Sequence, residues 1–266
     1  MGSSLGAALV AGHHPVRWVP DGRSEATRAR ADADGLGAAP DISSGLGEAD
    51  IVLSVCPPAA ASDVAAEVAR AGYQGIYVDA NAISPDRGRA VATAVERAGA
   101  TAVDAGIIGP PARDGARTLL YLSGPEGAVA EVAARFAGSP VDVVSLDAPI
   151  GAASATKMAF AAWSKGSAAL LLAVRALAES EEVVAGLDHA WDIMIPHIHD
   201  QLRRSATGSA PKAWRFEGEM LEIAATFASA GLPAGFHEAA ADIYGRLGDL
   251  RDNTDAELAD VIDRLI

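Results

Sequence analysis

The feature that most constrains this chain is a change of rhythm near residue 148. Up to that point short β-branched runs at 16–19, 51–55, 76–79, 101–104, 118–122 and 141–146 alternate with Ala-rich stretches at 25–34, 60–71, 85–98 and 126–137. Strands separated by whole helices are joined by crossovers rather than hairpins, so the alternation predicts βαβ units around a mainly parallel sheet. Beyond residue 148 the β-branched runs stop and Ala/Leu/Glu-rich stretches take over at 153–187, 190–204, 212–230, 235–247 and 254–265. That half should be all-helical, since Ala is the best helix former. The segment "LDAPIGAAS" carries a Pro and a Gly where the rhythm changes. The expected architecture is therefore a doubly wound α/β domain over 1–148 followed by an all-α domain over 149–266.

Composition narrows the function. Half of the 266 residues are hydrophobic, enough for two modest cores. The formal charge of −14 argues against nucleic acid or an acidic membrane as a partner, because phosphate polyanions would be repelled over most of the surface. A small anion in a local basic pocket stays compatible with it. The single cysteine, Cys56, excludes an internal disulfide, and no charged leader with an apolar core opens the chain, so a cytoplasmic location is expected. The most apolar stretch, 168–174, falls far short of the roughly 20 residues a bilayer demands, and no membrane span is expected.

Several short segments carry chemistry. A dinucleotide fold needs a glycine-rich turn between its first strand and first helix, where backbone amides and the helix N-terminus meet the pyrophosphate. The chain opens "MGSSLGAALVAG", straight into a helix, so Gly2, Ser3 and Gly6 stand at the end of such a turn; a plain Ser-capped helix accounts for the same residues. The next strand runs into "WVPDGRS", where Arg23 and Ser24 suit a 2′-phosphate and Asp21 suits a ribose hydroxyl. This favours NADP over NAD. The strands in "DIVLSVCPP" and "IYVDANAISP" end in rigid turns, and ligands lie at the carboxyl ends of parallel strands. Val55, Cys56, Pro57 and Asn81 are thus candidates for the nicotinamide side, with Cys56 read as a small buried hydrophobe rather than a nucleophile.

In "GAASATKMAFAAWSKGSAALLLA", Lys157 heads a long apolar helix and shares its face with Ala161, Ser164 and Ala168. A lone cation there either snorkels to water or faces a cleft between domains and donates a proton to a substrate heteroatom. His197 and His199 lie two apart and diverge by roughly 200° on a helix, so no shared metal is expected. His237, after a Pro-Gly turn, reads as a first-turn or interface histidine, with a place in the cleft as the sharper reading. Trp163, Trp191 and Trp214 read as core or dimer-interface packing.

Together these segments resemble the β-hydroxyacid dehydrogenase and 6-phosphogluconate dehydrogenase superfamily over nearly the whole chain. "MGSSLGAAL" is similar to the end of its glycine motif, "GRS" to its NADP-type Asn-Arg-Ser/Thr, "SVCPP" to its strand-loop segment, "VDAGIIGPP" to its substrate loop and "GAASATKMAFAA" to its catalytic-lysine helix. The C-terminal stretch "WRFEGEMLEIAATFASAGLPAGFHEAAADIY" resembles the helical domain of a poorly characterised subgroup. The resemblance implies a Rossmann-like NAD(P)-binding domain, a helical C-terminal domain that often forms a homodimer, and Lys157 as catalytic lysine. It also marks departures. Ala161 stands where the family has an Asn that helps hold substrate, and Ile108, Gly109 and Pro110 stand where its loop reads Ser-Gly-Gly. Without those polar partners, a carboxylate or phosphate substrate loses expected contacts, and a less polar carbonyl or an imine fits better.

The expectation is an NADP-preferring oxidoreductase with Lys157 as proton donor and Ile108, Gly109, Ala161, Ser164 and His237 near the substrate. The alternative is a dinucleotide-binding or interaction protein that kept the fold and lost the activity. In this fold the first strand is central. Its absence ahead of Gly2 leads to the further expectation that Met1 is internal to the natural reading frame and that cofactor affinity is weakened.

Overall fold

Ile76–Asp79 forms the fully buried strand that its sequence predicts, and one compact unit is built around it. The structure is a computed structural model that describes residues 1–113 and 115–266. Its two units are Met1–Met158 and Ala159–Ile266.

The first unit runs α1 (Gly2–Ala11), β1 (Arg17–Trp18), α2 (Glu25–Ala33), β2 (Gly37–Ala38), α3 (Ile42–Leu46), β3 (Ile51–Ser54), α4 (Ala61–Arg70), β4 (Ile76–Asp79), α5 (Pro85–Arg97), β5 (Thr101–Ile108), β6 (Thr118–Ser123), α6 (Glu126–Arg135) and β7 (Val141–Ser145). Strands β3 to β7 form a five-stranded sheet in sequence order, parallel throughout except for the antiparallel β5–β6 pair. The short strands β1 and β2 form a separate parallel pair. Successive residues of a strand face opposite ways, and the sheet is covered on both sides. Val78, Val103, Ala105, Leu120 and Leu122 pack with Leu5 of α1 and Val129, Val132 and Phe136 of the α6 region. Tyr77 and Ala102 pack on the other side with Ala65 and Val68 of α4 and Val91 and Val95 of α5. This is the expected Rossmann-like layer architecture.

Two local features go beyond the expected elements. Strand β5 continues to Ile108 instead of stopping at Asp104, because the antiparallel partner β6 pairs Ile108 with Leu119. The short elements β2 and α3 form between the expected helix at 25–34 and strand at 51–55; α3 starts where the Asp41 side chain accepts from the Ser44 amide at 2.7 Å.

Helix α7 (Ala152–Ser180) begins in the first unit and continues into the second, which adds α8 (Val184–Met194), α9 (Ile198–Ser209), α10 (Ala213–Ser229), α11 (Gly235–Arg246) and α12 (Leu258–Asp263). The expected single helix over 153–187 is broken, since Glu182 adopts a left-handed φ of 56° and the chain restarts at Val184. The one expected over 190–204 is also split. Pro196, which cannot donate to a helical ladder, lies between Met194 and Ile198. Leu172, Leu202, Met220, Ile223, Tyr244 and Leu247 fill the core of this unit. By length and composition alone, with a mean hydropathy of 1.2 over its most apolar window, α7 could cross a membrane. Lys157, Lys165 and Arg175 interrupt it.

Candidate functional site

Ser54, Asp79 and Asp104 stand side by side where β3, β4 and β5 pair in register, Ser54 opposite Asp79 and Asp79 opposite Asp104. The turns that follow this row form the carboxyl edge of the parallel strands, where an α/β sheet places ligands. Asn81, 2% exposed, fastens two of the turns together. Its Oδ1 accepts from the Cys56 amide at 2.6 Å, and its Nδ2 donates to Ser54 Oγ at 3.0 Å and to Asp79 Oδ1 at 2.7 Å. Asn81 is therefore a lock on the loop after β3, which it holds at Cys56. Arg87 holds the far side of that loop by donating to the Pro58 carbonyl at 3.0 Å and to Ser62 Oγ at 3.3 Å. Burial pushes the Cys56 thiol up, against the positive charges of Arg23 and Arg87, which agrees with an unreactive thiol.

Asp79 is the unusual group. Burial raises its carboxyl to about 6, the Asn81 hydrogen bonds oppose this, and the Asp104 charge adds to it. Its Oδ2 and the Tyr77 hydroxyl are both buried without a hydrogen-bond partner among the described residues.

At the start of the chain, the first turn of α1 carries Gly2 against Val55 and Ser3 with its hydroxyl toward a guanidinium. Arg113 supplies that guanidinium, donating to Ser3 Oγ at 3.1 Å while paired with Asp34. A helix start, a hydroxyl and an arginine form a donor set that suits a diphosphate. Arg23 is exposed on the loop after β1, while the Ser24 hydroxyl caps α2, accepting from the Thr27 amide at 3.3 Å.

The start of α7 is fixed to the same edge. Asp104 Oδ2 accepts from Ser123 Oγ at 2.9 Å and from the Gly151 and Ser154 amides at 2.9 and 3.0 Å, and Oδ1 accepts from Ser154 Oγ at 2.5 Å. Ser123 Oγ in turn accepts from the Ala153 amide at 3.0 Å. The Ala152 and Ala155 amides go to the Pro149 and Gly151 carbonyls, so each of the first four amides of α7 has an acceptor. Gly106 lets the helix lie directly on β5, since a Cβ there would sit 2.5 Å from the Ala153 carbonyl oxygen and 3.1 Å from Lys157 Cβ. Lys157, half-buried, thus stands over β5 just beyond the row of Ser54, Asp79 and Asp104.

The substrate candidates divide. Ile108 is a buried residue of β5 rather than part of an open loop, and Gly109 follows it with a φ of 107°. Ala161, Ser164 and His237 belong to the helical unit. Ala161 is buried and Ser164 exposed. The His237 ring packs edge-on against Phe227 with centroids 4.3 Å apart, its Nδ1 buried without a partner among the described residues. His199 bonds Asp192 at 3.1 Å, and among the described residues no group of three His, Cys, Asp or Glu side chains could hold a metal. Trp191 is in the core, whereas Trp163 is 77% exposed.

Sequence reasoning passed over Asp79, Asp104, Arg87 and Arg113. The signal for the two aspartates was present, since both sit in Val-Asp-Ala within otherwise apolar strands, where a charged residue is out of place unless it is paired or hydrogen-bonded.

The family described as the NAD binding domain of 6-phosphogluconate dehydrogenase matches residues 1–139, and a domain of unknown function (DUF1932) matches 178–247. An uncharacterized 28.5 kDa protein of Methanothermus fervidus is 31% identical over 163 residues, which span 61% of this chain and 61% of that protein. Among solved structures, Mycobacterium tuberculosis 3-hydroxyisobutyrate dehydrogenase with L-serine superposes with a TM-score of 0.69 at 20% identity, covering 100% of this chain and 95% of the other. A Myxococcus stipitatus imine reductase in complex with NAD+ gives a TM-score of 0.57 at 17% identity, covering 100% and 96%. Identities this low establish the shared fold alone. The match over 1–139, more than half of the chain, is what places the protein in the family of the 6-phosphogluconate dehydrogenase NAD binding domain, with a DUF1932 domain following it.

Proposed function

We propose that the chain is an NADP-preferring reductase of a small, weakly polar carbonyl or imine, in which Lys157 gives a proton to the substrate heteroatom. The observation that carries the proposal is the placement of Lys157 over β5, at the same strand edge as the Asn81-locked loop and next in register to it. When bound, the cofactor supplies the hydride. The residues suited to hold it are the first turn of α1 with Ser3 and Arg113 for the diphosphate, Arg23 for a 2′-phosphate, and the loop of Val55, Cys56 and Pro57 for the nicotinamide side. With the cofactor bound, Lys157 would give its proton to the substrate oxygen or nitrogen as the carbon is reduced. The substrate class rests on the sequence resemblance, in which Ile108 and Ala161 stand where the family has a Ser and an Asn. The solved imine reductase and hydroxyacid dehydrogenase of this fold support the reaction type.

Cofactor choice is tested by fluorescence titration with NADPH and NADH. Loss of one charge-assisted phosphate contact in Arg23→Ala should weaken NADPH binding roughly tenfold and leave NADH unchanged. Equal effects on both cofactors would remove Arg23 from the 2′-phosphate. A second reading, binding without turnover, is favoured by the burial of Ile108 within β5 and of Ala161 in α7, since neither offers substrate a polar contact. NADPH binding with no oxidation across a panel of ketones, aldehydes, 3-oxo acids and cyclic imines would select it.

The assembly proposed is a homodimer through the helical unit. Trp163, Leu170 and Leu177 are 77%, 61% and 62% exposed and recur every seventh residue along α7. Ser167 and Val174 fall between them in the 3-4 spacing of a helix–helix seam. Sedimentation of the wild type as a dimer and of Trp163→Glu as a monomer is the expected result; a monomeric wild type would remove the assembly.

A further inference from the structure

We infer that Asp104 is a positioning residue for Lys157, holding the start of the lysine-bearing helix to the sheet edge through hydrogen bonds between segments distant in sequence. This rests on the reading of Lys157 as the proton donor. A helix normally caps itself with a neighbouring Ser, Thr, Asp or Asn. Helix α7 instead takes its cap from Asp104, which lies 47 positions before Gly151 and 50 before Ser154, with Ser123 as the intermediary. The carboxylate is 2% exposed, and its charge is met by four hydrogen-bond donors and the positive end of a 29-residue helix.

The arrangement aims as well as stabilises. Ser154 is one helical turn before Lys157, and Gly106, two residues after Asp104, lies against the Ala153 carbonyl and the Lys157 stem. Shifting the first turn of α7 therefore moves the Lys157 stem against β5. Asp79, directly opposite Asp104, organises Asn81 and the cofactor-side loop, so two adjacent carboxylates set the two sides of one edge.

The test uses the full chain with Asp104→Ala, Ser123→Ala and Asp104→Asn. Two readouts are taken: amide hydrogen exchange of the segment that opens α7, and kcat alongside the NADPH dissociation constant. Asp104→Ala should speed exchange in the first turn of α7 and lower kcat on the order of 100-fold, the scale of a misplaced catalytic group, with NADPH affinity kept. If Asp104→Ala does not fold, Ser123→Ala keeps the carboxylate and should show the same pattern at about tenfold. Asp104→Asn should restore most of the turnover, because its carbonyl can face the three donors on Oδ2 while its amide donates to Ser154 Oγ. Unchanged exchange and kcat in the Ala variants would overturn the inference, and so would an Asn variant as poor as Ala. If Lys157→Ala alone keeps full turnover, the proton-donor reading fails. The exchange data then still decide the anchor, with faster exchange supporting it and unchanged exchange overturning it.

Discussion

Replacing Asp79 by Asn should alter how stability depends on pH. In the native chain burial raises this carboxyl from 3.8 to about 6. A native state that holds its proton more tightly than the unfolded chain is favoured below the unfolded value, and that advantage is lost as pH rises through the native one. The contribution is thus fully present below pH 3.8 and gone above about 6. A shift of about two units corresponds to roughly 3 kcal/mol at 1.36 per unit. The Asp79→Asn side chain would keep the Oδ1 acceptor used by the Asn81 amide and side chain, and would remove the charge facing Asp104. Its new N–H would replace Oδ2, which already lacks a partner among the described residues, so a constant cost of about 1 to 3 kcal/mol is expected at every pH. The distinguishing quantity is therefore the pH dependence of the difference between the two proteins. Urea denaturation from pH 3 to 8 should show the Asn variant gaining on the wild type by about 3 kcal/mol across that window. A difference that stays flat with pH would refute a buried, protonated Asp79.

Two further outcomes follow from the packing. Gly106→Ala puts a methyl group 2.5 Å from the Ala153 carbonyl, so stability should fall by roughly 1 to 3 kcal/mol and turnover more than cofactor affinity, as read by denaturation and steady-state kinetics. In the helical unit, Lys165 and Glu219 form a largely buried ion pair, with the ammonium 4.3 Å from the Phe216 ring centroid. Glu219→Gln removes the charge that opposes the burial-driven lowering of the lysine pKa, and should cost about 3 kcal/mol in urea denaturation, whereas replacing both partners by apolar residues should cost much less.

How much of this was legible in the sequence depends on how local the cause is. Ile76–Asp79 and Pro85–Arg97 were readable because a short β-branched run and a Ser-Pro helix start act through adjacent residues. The break at Glu182 was not, since no Gly or Pro announces it and tertiary packing alone can impose a left-handed residue. The extension of β5 to Ile108 depends on its antiparallel partner β6, so a segment read as a substrate loop became a buried strand. Lys157 was visible as a cation on the small-residue face of an apolar helix. Asp104 stood out as a charged residue in an apolar strand, but its role as an anchor did not, because its partners lie 19, 47 and 50 residues away and only the fold brings them together.

The central claim is that this edge transfers hydride with Lys157 as the proton donor. Its most direct test follows nicotinamide absorbance with NADPH and the best substrate of the carbonyl and imine panel, comparing wild type with Lys157→Ala, with NADPH affinity measured on both. Loss of one general acid predicts a fall in kcat of about 100-fold or more at unchanged NADPH affinity. Turnover equal to wild type in Lys157→Ala would contradict the account.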